Sequence, residues 1–214
     1  MKRSMRREFI VQTIIWLFVF FSHVSVASGA SVGRNIMSGR TALLQGNPQA
    51  ALPHFEAIAR SNPNYVNCAE ELCIGVWTYL GRTQHELGEN QQAQESLKKG
   101  VGRDARDRFN KVYLGLVRAQ TGQEKEGQVE LDDGLKVLGD WLAGFAGRGS
   151  TGQFWDANGV LQRSIANIRG MLKTGPVDWN RVNQEIQSLS VEFEQEARDV
   201  RDEKDQRRRG RRRF

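Results

Sequence analysis

Glycines separated by seven residues recur along the chain, Gly39 with Gly46, Gly81 with Gly88 and Gly115 with Gly122, and the second and third pairs are offset by 34 residues. A period of that length, carried by small residues at fixed points, specifies helix-turn-helix units that stack on one another. It is not the pattern of an enzyme pocket. The first glycine of each pair lets two helices approach closely, and the second supplies the positive φ of the turn between them.

Registered on that period, Trp77, Leu80, Gly81, Gly88, Ala93 and Leu97 align with Lys111, Leu114, Gly115, Gly122, Gly127 and Leu131. An earlier unit reads Gly39, Gly46, Ala51, Phe55, Ile58 and Pro63. These residues resemble the tetratricopeptide repeat (TPR) family, with Trp77-Thr-Tyr-Leu80-Gly81 the closest match. The resemblance covers roughly residues 32–140 and departs from the family where Asn35 and Ser38 replace the tryptophan and leucine of the first unit and Lys111 replaces the tryptophan of the third. About eight extra residues, 66–73, interrupt the period between the first two units. Asn47-Pro48 and Asn90 are the expected helix caps. The implied fold is all-α, a TPR-type helix-turn-helix solenoid of about three repeats over residues 31–146.

By the same resemblance, the first helix of each unit lines a concave groove for a partner peptide or helix. The positions are Ile36, Arg40 and Leu43, then Thr78, Arg82 and His85, then Phe109, Val112, Leu116 and Ala119. This floor is basic and polar in the middle and apolar toward the third unit. An apolar stripe on an exposed wall marks a contact, and its occupant is either another protein or the chain's own C-terminal hairpin folded back. Met37, Tyr79 and Tyr113 stand where a family branch that clamps C-terminal carboxylates carries asparagine, so that ligand is not implied.

Residues 1–30 read as a secretory signal peptide. Lys2, Arg3, Arg6 and Arg7 precede an apolar run over 9–21, and small residues follow over 24–30. The expected location is periplasmic or secreted; retention of the leader as an inner-membrane anchor is the alternative. The formal charge of +6 divides unevenly, because the leader carries +3 and the arginine-rich end +6, which leaves −3 for everything between. Cys68 and Cys73 are the only cysteines. An oxidising compartment favours a disulfide, but residues five apart on a regular helix point away from each other, so a bond requires a break or loop there. Two free buried thiols are the other reading.

Beyond residue 146 a glycine-rich linker is expected over 147–153. Its Gly147-Arg-Gly149-Ser-Thr-Gly152 string lacks the preceding strand that a dinucleotide-binding loop needs. Leu161, Ile165, Ile168 and Leu172, then Trp179, Val182, Ile186, Leu189, Phe193 and Val200, mark two further helices, with Asp178 as cap of the second. They form either a helical hairpin over 154–206 or, because Phe193 and Val200 lack evident local partners, a coiled coil with another subunit as a homo-oligomer. An Arg-rich tail, 207–214, follows. Arg207, Arg208, Arg209, Arg211, Arg212 and Arg213 are suited to an anionic membrane or glycan surface, or serve as a solubilising end. Nucleic acid is disfavoured, since only Phe214 offers a stacking side chain there.

Nothing points to catalysis, a cofactor or a metal. His54 and His85 lie within repeat helices, while Glu70-Glu71 and Asp132-Asp133 read as helix-surface charge. The expected function is a non-enzymatic protein-protein interaction scaffold in the cell envelope, or else a surface-binding module acting through the arginine tail.

Overall fold

The computed structural model describes residues 28–146, 148 and 154–211. The expected leader cleavage region up to residue 27, most of the glycine-rich linker, and Arg212 and Arg213 lie outside the described residues. The chain divides into two compact units, Met1–Gly33 and Arg34–Phe214. Only the opening of the first helix is described in the former.

The protein is mostly helical. Its elements are α1 (Ser28–Leu44), α2 (Pro48–Ser61), β1 (Val66–Ala69), β2 (Leu72–Gly75), α3 (Val76–Glu86), α4 (Asn90–Gly100), α5 (Phe109–Gln120), α6 (Glu124–Phe145), α7 (Val160–Met171) and α8 (Trp179–Arg211).

The glycine period reappears as repeated geometry. Gly46, Gly88 and Gly122 adopt φ of 67°, 79° and 90° between α1 and α2, α3 and α4, and α5 and α6. Each turn closes identically, with the amide of Asn47, Glu89 or Gln123 donating to the carbonyl of Ala42, Gln84 or Arg118 at 2.8–3.0 Å. That bond reaches back five residues and satisfies a carbonyl at the helix end. Gly39, Gly81 and Gly115 in turn face Phe55, Leu97 and Leu131, sixteen residues on in every case. A Cβ on any of them would stand 2.4–2.7 Å from its neighbour, so the close approach requires glycine. Asn47 caps α2 through Ala50 N–H at 3.1 Å. Asn90 does not cap α4: Glu89 occupies that position, and the Asn90 side chain meets His85 instead.

The extra residues between the first two units form a β-hairpin, an exception within the all-α expectation. β1 and β2 pair antiparallel with Cys68 opposite Cys73, and the two are joined as a disulfide. Strand pairing brings together side chains that helix spacing would hold apart. Glu70 and Glu71 are consequently the hairpin turn and not helix-surface charge, with Glu70 at φ 52°.

α7 and α8 form an antiparallel hairpin, joined by Ser164 Oγ donating to Glu192 at 3.0 Å and the Asp156 amide donating to Glu196 at 2.5 Å. Asp178 accepts from the amides of Asn180 and Arg181, as expected of its cap. Asp132 is more than surface charge, because it receives Arg169 at 2.7 Å and ties α6 to α7. α8 continues as helix through Arg211, so its arginines begin as the end of a helix and not as a separate tail.

Candidate functional site

The first helices of the three pairs, α1, α3 and α5, supply all the residues expected to line a groove, and every one is buried. Exposure is 3% for Ile36 and Leu43, 8% for Arg40, 1% for Thr78 and Phe109, 4% for Arg82, 6% for His85 and Ala119, and zero for Val112 and Leu116. The wall is not exposed: of the two occupants expected for it, the chain's own C-terminal hairpin is the one present. α8 lies against these helices and covers them.

The contacts along α8 run from one end of this seat to the other. Asn183 meets His85 at 2.9 Å, Ser190 meets Tyr113 at 2.7 Å, and Glu194 accepts from Arg40 Nε and Nη2 at 2.9 and 2.7 Å. Between these polar pairs the apolar face of α8 is sealed: Val182, Ile186, Leu189 and Phe193 have no exposed surface. Phe193 does not lack partners. Its ring stands edge-on to Phe109 at 5.3 Å and close to Trp141 and Trp155 at 6.2 and 6.4 Å. Val200 is 1% exposed. The seam that prompted the coiled-coil alternative is therefore filled within the chain.

Not every expected residue faces α8. Gly127 of α6 presses on the Ala119 backbone and Gly134 on that of Val112, so these two positions belong to the contact between α5 and α6. The α5 side chains that meet α8 are Phe109 and Tyr113, with Gln120 near the Trp179 carbonyl. Thr78 donates to Asp107 Oδ2 at 2.7 Å and accepts from Asn110, which joins α3 to the segment before α5. His54 pairs with Asn35 within the first unit.

Electrostatics single out Arg40. Burial alone would lower its pKa, but Tyr79 and the Glu194 carboxylate outweigh that and hold it above its ordinary value. The Tyr79 phenol is pushed upward, first by burial and then by Glu194, so it stays a neutral hydroxyl on this floor. Tyr113 is pushed up to about 12 by burial. Arg82 is matched differently, by Glu86 one turn along its own helix at 2.7 Å. Glu194 is 1% exposed, and its second oxygen has no hydrogen-bond partner among the described residues, so its burial depends on Arg40.

Sequence reasoning missed Glu194, Ser190, Asn183, Tyr113 and the tryptophans around Phe193. A signal existed: Ile186, Ser190, Glu194 and Ala197 follow four-four-three spacing, which places a carboxylate on the buried face of α8. Among the described residues no cluster of histidine, cysteine and carboxylate groups is arranged to hold a metal ion, and no helix is long and apolar enough to cross a membrane.

No family model, curated protein or solved structure matches this chain. The seat combines hydrophobic burial, one cation matched by a carboxylate of α8, and two side chains, His85 and Tyr113, that hydrogen-bond to that helix.

Proposed function

We propose that this chain is an exported, TPR-type scaffold of the cell envelope that binds a helix of another protein, without catalysis, in the groove where α8 now lies. α8 is the resident occupant, and the partner exchanges with it. The observation that carries the reading is the make-up of the α8 seat. Apolar burial alternates with polar pairs at Asn183, Ser190 and Glu194, as in a separable interface with anchor residues set among hydrogen bonds. An open cleft lined by Leu43, Leu44, Arg82, Glu86, Gln187 and Val191 runs beside α8 and gives a competing helix a place to begin.

The test places a photo-crosslinking phenylalanine analogue at Phe109. In the unaltered chain the crosslink joins α8. In Glu194→Gln cells it joins a second protein, in an adduct suppressed by excess α8 peptide. Adducts confined to α8 in both backgrounds refute the exchange.

A second reading rests on the end of α8. After the mixed charges of residues 201–205, the helix carries Arg207, Arg208 and Arg209, all exposed. Such a helix end suits an anionic lipid or glycan surface. Deleting residues 207–214 abolishes salt-sensitive sedimentation with anionic vesicles if this reading holds and leaves groove binding intact.

A further inference from the structure

The resident helix also describes its replacement. Lifting α8 out of the seat has unequal consequences for the two buried arginines of the floor. Arg82 keeps Glu86, which belongs to its own helix. Arg40 loses Glu194, the carboxylate with which it forms its ion pair among the described residues. The vacated floor therefore presents one uncompensated cation, and a ligand that leaves it unpaired in a dry interface is strongly disfavoured.

The residue before Glu194, Phe193, fills an aromatic pocket. Phe109, Trp141 and Trp155 surround Phe193, and Trp155 is itself 1% exposed. The pocket and the cation are engaged by consecutive residues of α8, so their separation is fixed to one helical step. Further along, Tyr113 and His85 reach side chains three and ten residues before the aromatic one.

Resting on the groove reading above, we infer that the partner is an amphipathic helix in which an aromatic residue is followed directly by a carboxylate, preceded by apolar residues four, seven and eleven positions earlier. Leu189, Ile186 and Val182 hold those positions in α8. The aromatic ring enters the Phe109–Trp141–Trp155 pocket, and the carboxylate takes both Arg40 nitrogens. Apolar content provides contact area, whereas the adjacent pair sets register and direction, because a helix shifted by one residue or reversed places its acid away from Arg40.

The probe is a fluorescent synthetic peptide of residues 179–201, titrated into the full chain carrying Phe193→Ala, whose own helix is less well seated. Full chain with Glu194→Gln serves as a second, nearly isosteric host should the alanine variant fold poorly. Saturable binding is expected in these hosts, at least tenfold tighter than to the unaltered chain. A Glu194→Gln peptide should bind at least tenfold more weakly, and Arg40→Met in the host should erase that difference. Equal binding of the two peptides, or a difference that survives Arg40→Met, overturns the inference while leaving the groove reading standing. No peptide binding by a host whose helical circular dichroism is intact overturns the groove reading itself. A host that dimerises and leaves the peptide unbound replaces the proposed partner with a second copy of the chain.

Discussion

The contact between α5 and α6 and the contact between α8 and the groove are built from different materials. Between α5 and α6, backbone meets backbone: Gly115 lies against the Leu131 amide, Gly127 against that of Ala119, and Gly134 against that of Val112. Along α8, side chain meets side chain, with apolar residues interrupted by Asn183–His85, Ser190–Tyr113 and Glu194–Arg40. Backbone contact of the first kind admits no other sequence and no other occupant. Side-chain contact of the second kind can be reproduced by any helix with the same pattern, and a small cavity lined by Thr78, Tyr79, Arg82, Phe109, Tyr113 and Ser190 lies at that contact. On the proposed reading, the first contact is part of the fold and the second is a docking event within it.

The sharpest test is Phe193→Ala, which should cost about 4 kcal/mol for a fully buried ring. If docking is separable, the loss appears locally. Hydrogen exchange then accelerates over residues 182–200 while α5 and α6 keep their protection. Uniform acceleration throughout would erase the distinction between the two contacts. Gly115→Ala, at about 3 kcal/mol or more, should do the opposite. Its Cβ would sit 2.4 Å from the Leu131 nitrogen, and its three nearest neighbours are all backbone, so no side chain can move aside. Chemical denaturation should show one global transition at lower denaturant, with no separate release of α8.

The ion pair probes the docking contact more finely. Glu194→Gln leaves Arg40 buried without its counter-charge and should cost about 3 kcal/mol, whereas Arg40→Met with Glu194→Leu should recover most of that loss. A double-mutant cycle read by urea denaturation separates the pair from its surroundings. Stability would return in the doubly apolar protein without discrimination for an acidic ligand, so peptide binding and stability should part company.

How much of this was legible in sequence follows the same division. The helix pairs were readable because the glycines that permit backbone contact are local marks: Gly81 and Leu97 lie sixteen residues apart, and their partners repeat one period later. The groove positions were named with two candidate occupants, and the choice between them was not legible because the residues that cover them stand far along the chain. Glu194 lies 154 residues from Arg40. Nothing around Arg40 distinguishes a floor awaiting a partner from one already occupied. The hairpin was missed for a different reason. Four-residue strands are too short for alternation to stand out, and the better clue was the cysteine spacing, which a two-residue turn accommodates across paired strands. The register of α5 was misjudged at Val112 and Ala119 because small and β-branched residues suit a helix-helix contact as well as a groove wall.

Reduction of Cys68–Cys73 should cost about 2 kcal/mol, the size expected for opening a short covalent loop. The hairpin turn also reaches α8, since Glu70 pairs with Lys204. Reductant should therefore loosen the end of α8 nearest the hairpin before the seat around Phe193. Exchange measured with and without a dithiol reductant checks this through the order in which residues 200–204 and 186–194 lose protection.

The smallest effect concerns acidity and falls on the body of the fold. Asp107 accepts from the Gly75 amide at 2.8 Å and from Thr78 Oγ1 at 2.7 Å, and burial pushes its pKa up to about 6 despite those bonds. The folded chain thus holds this proton to higher pH than the unfolded chain, whose aspartate titrates near about 4. Asp107 therefore contributes stability that is complete below the unfolded value and is lost as pH rises through about 6. Because the residue retains partial access to water, a loss of about 1 kcal/mol is expected, and Asp107→Asn should flatten that part of the profile. Since Asp107 joins α3 to the start of α5 and touches none of the α8 side chains described above, its titration should shift global denaturation midpoints without altering peptide exchange at the groove. A matched pH dependence of the two would mean that docking and folding are one event.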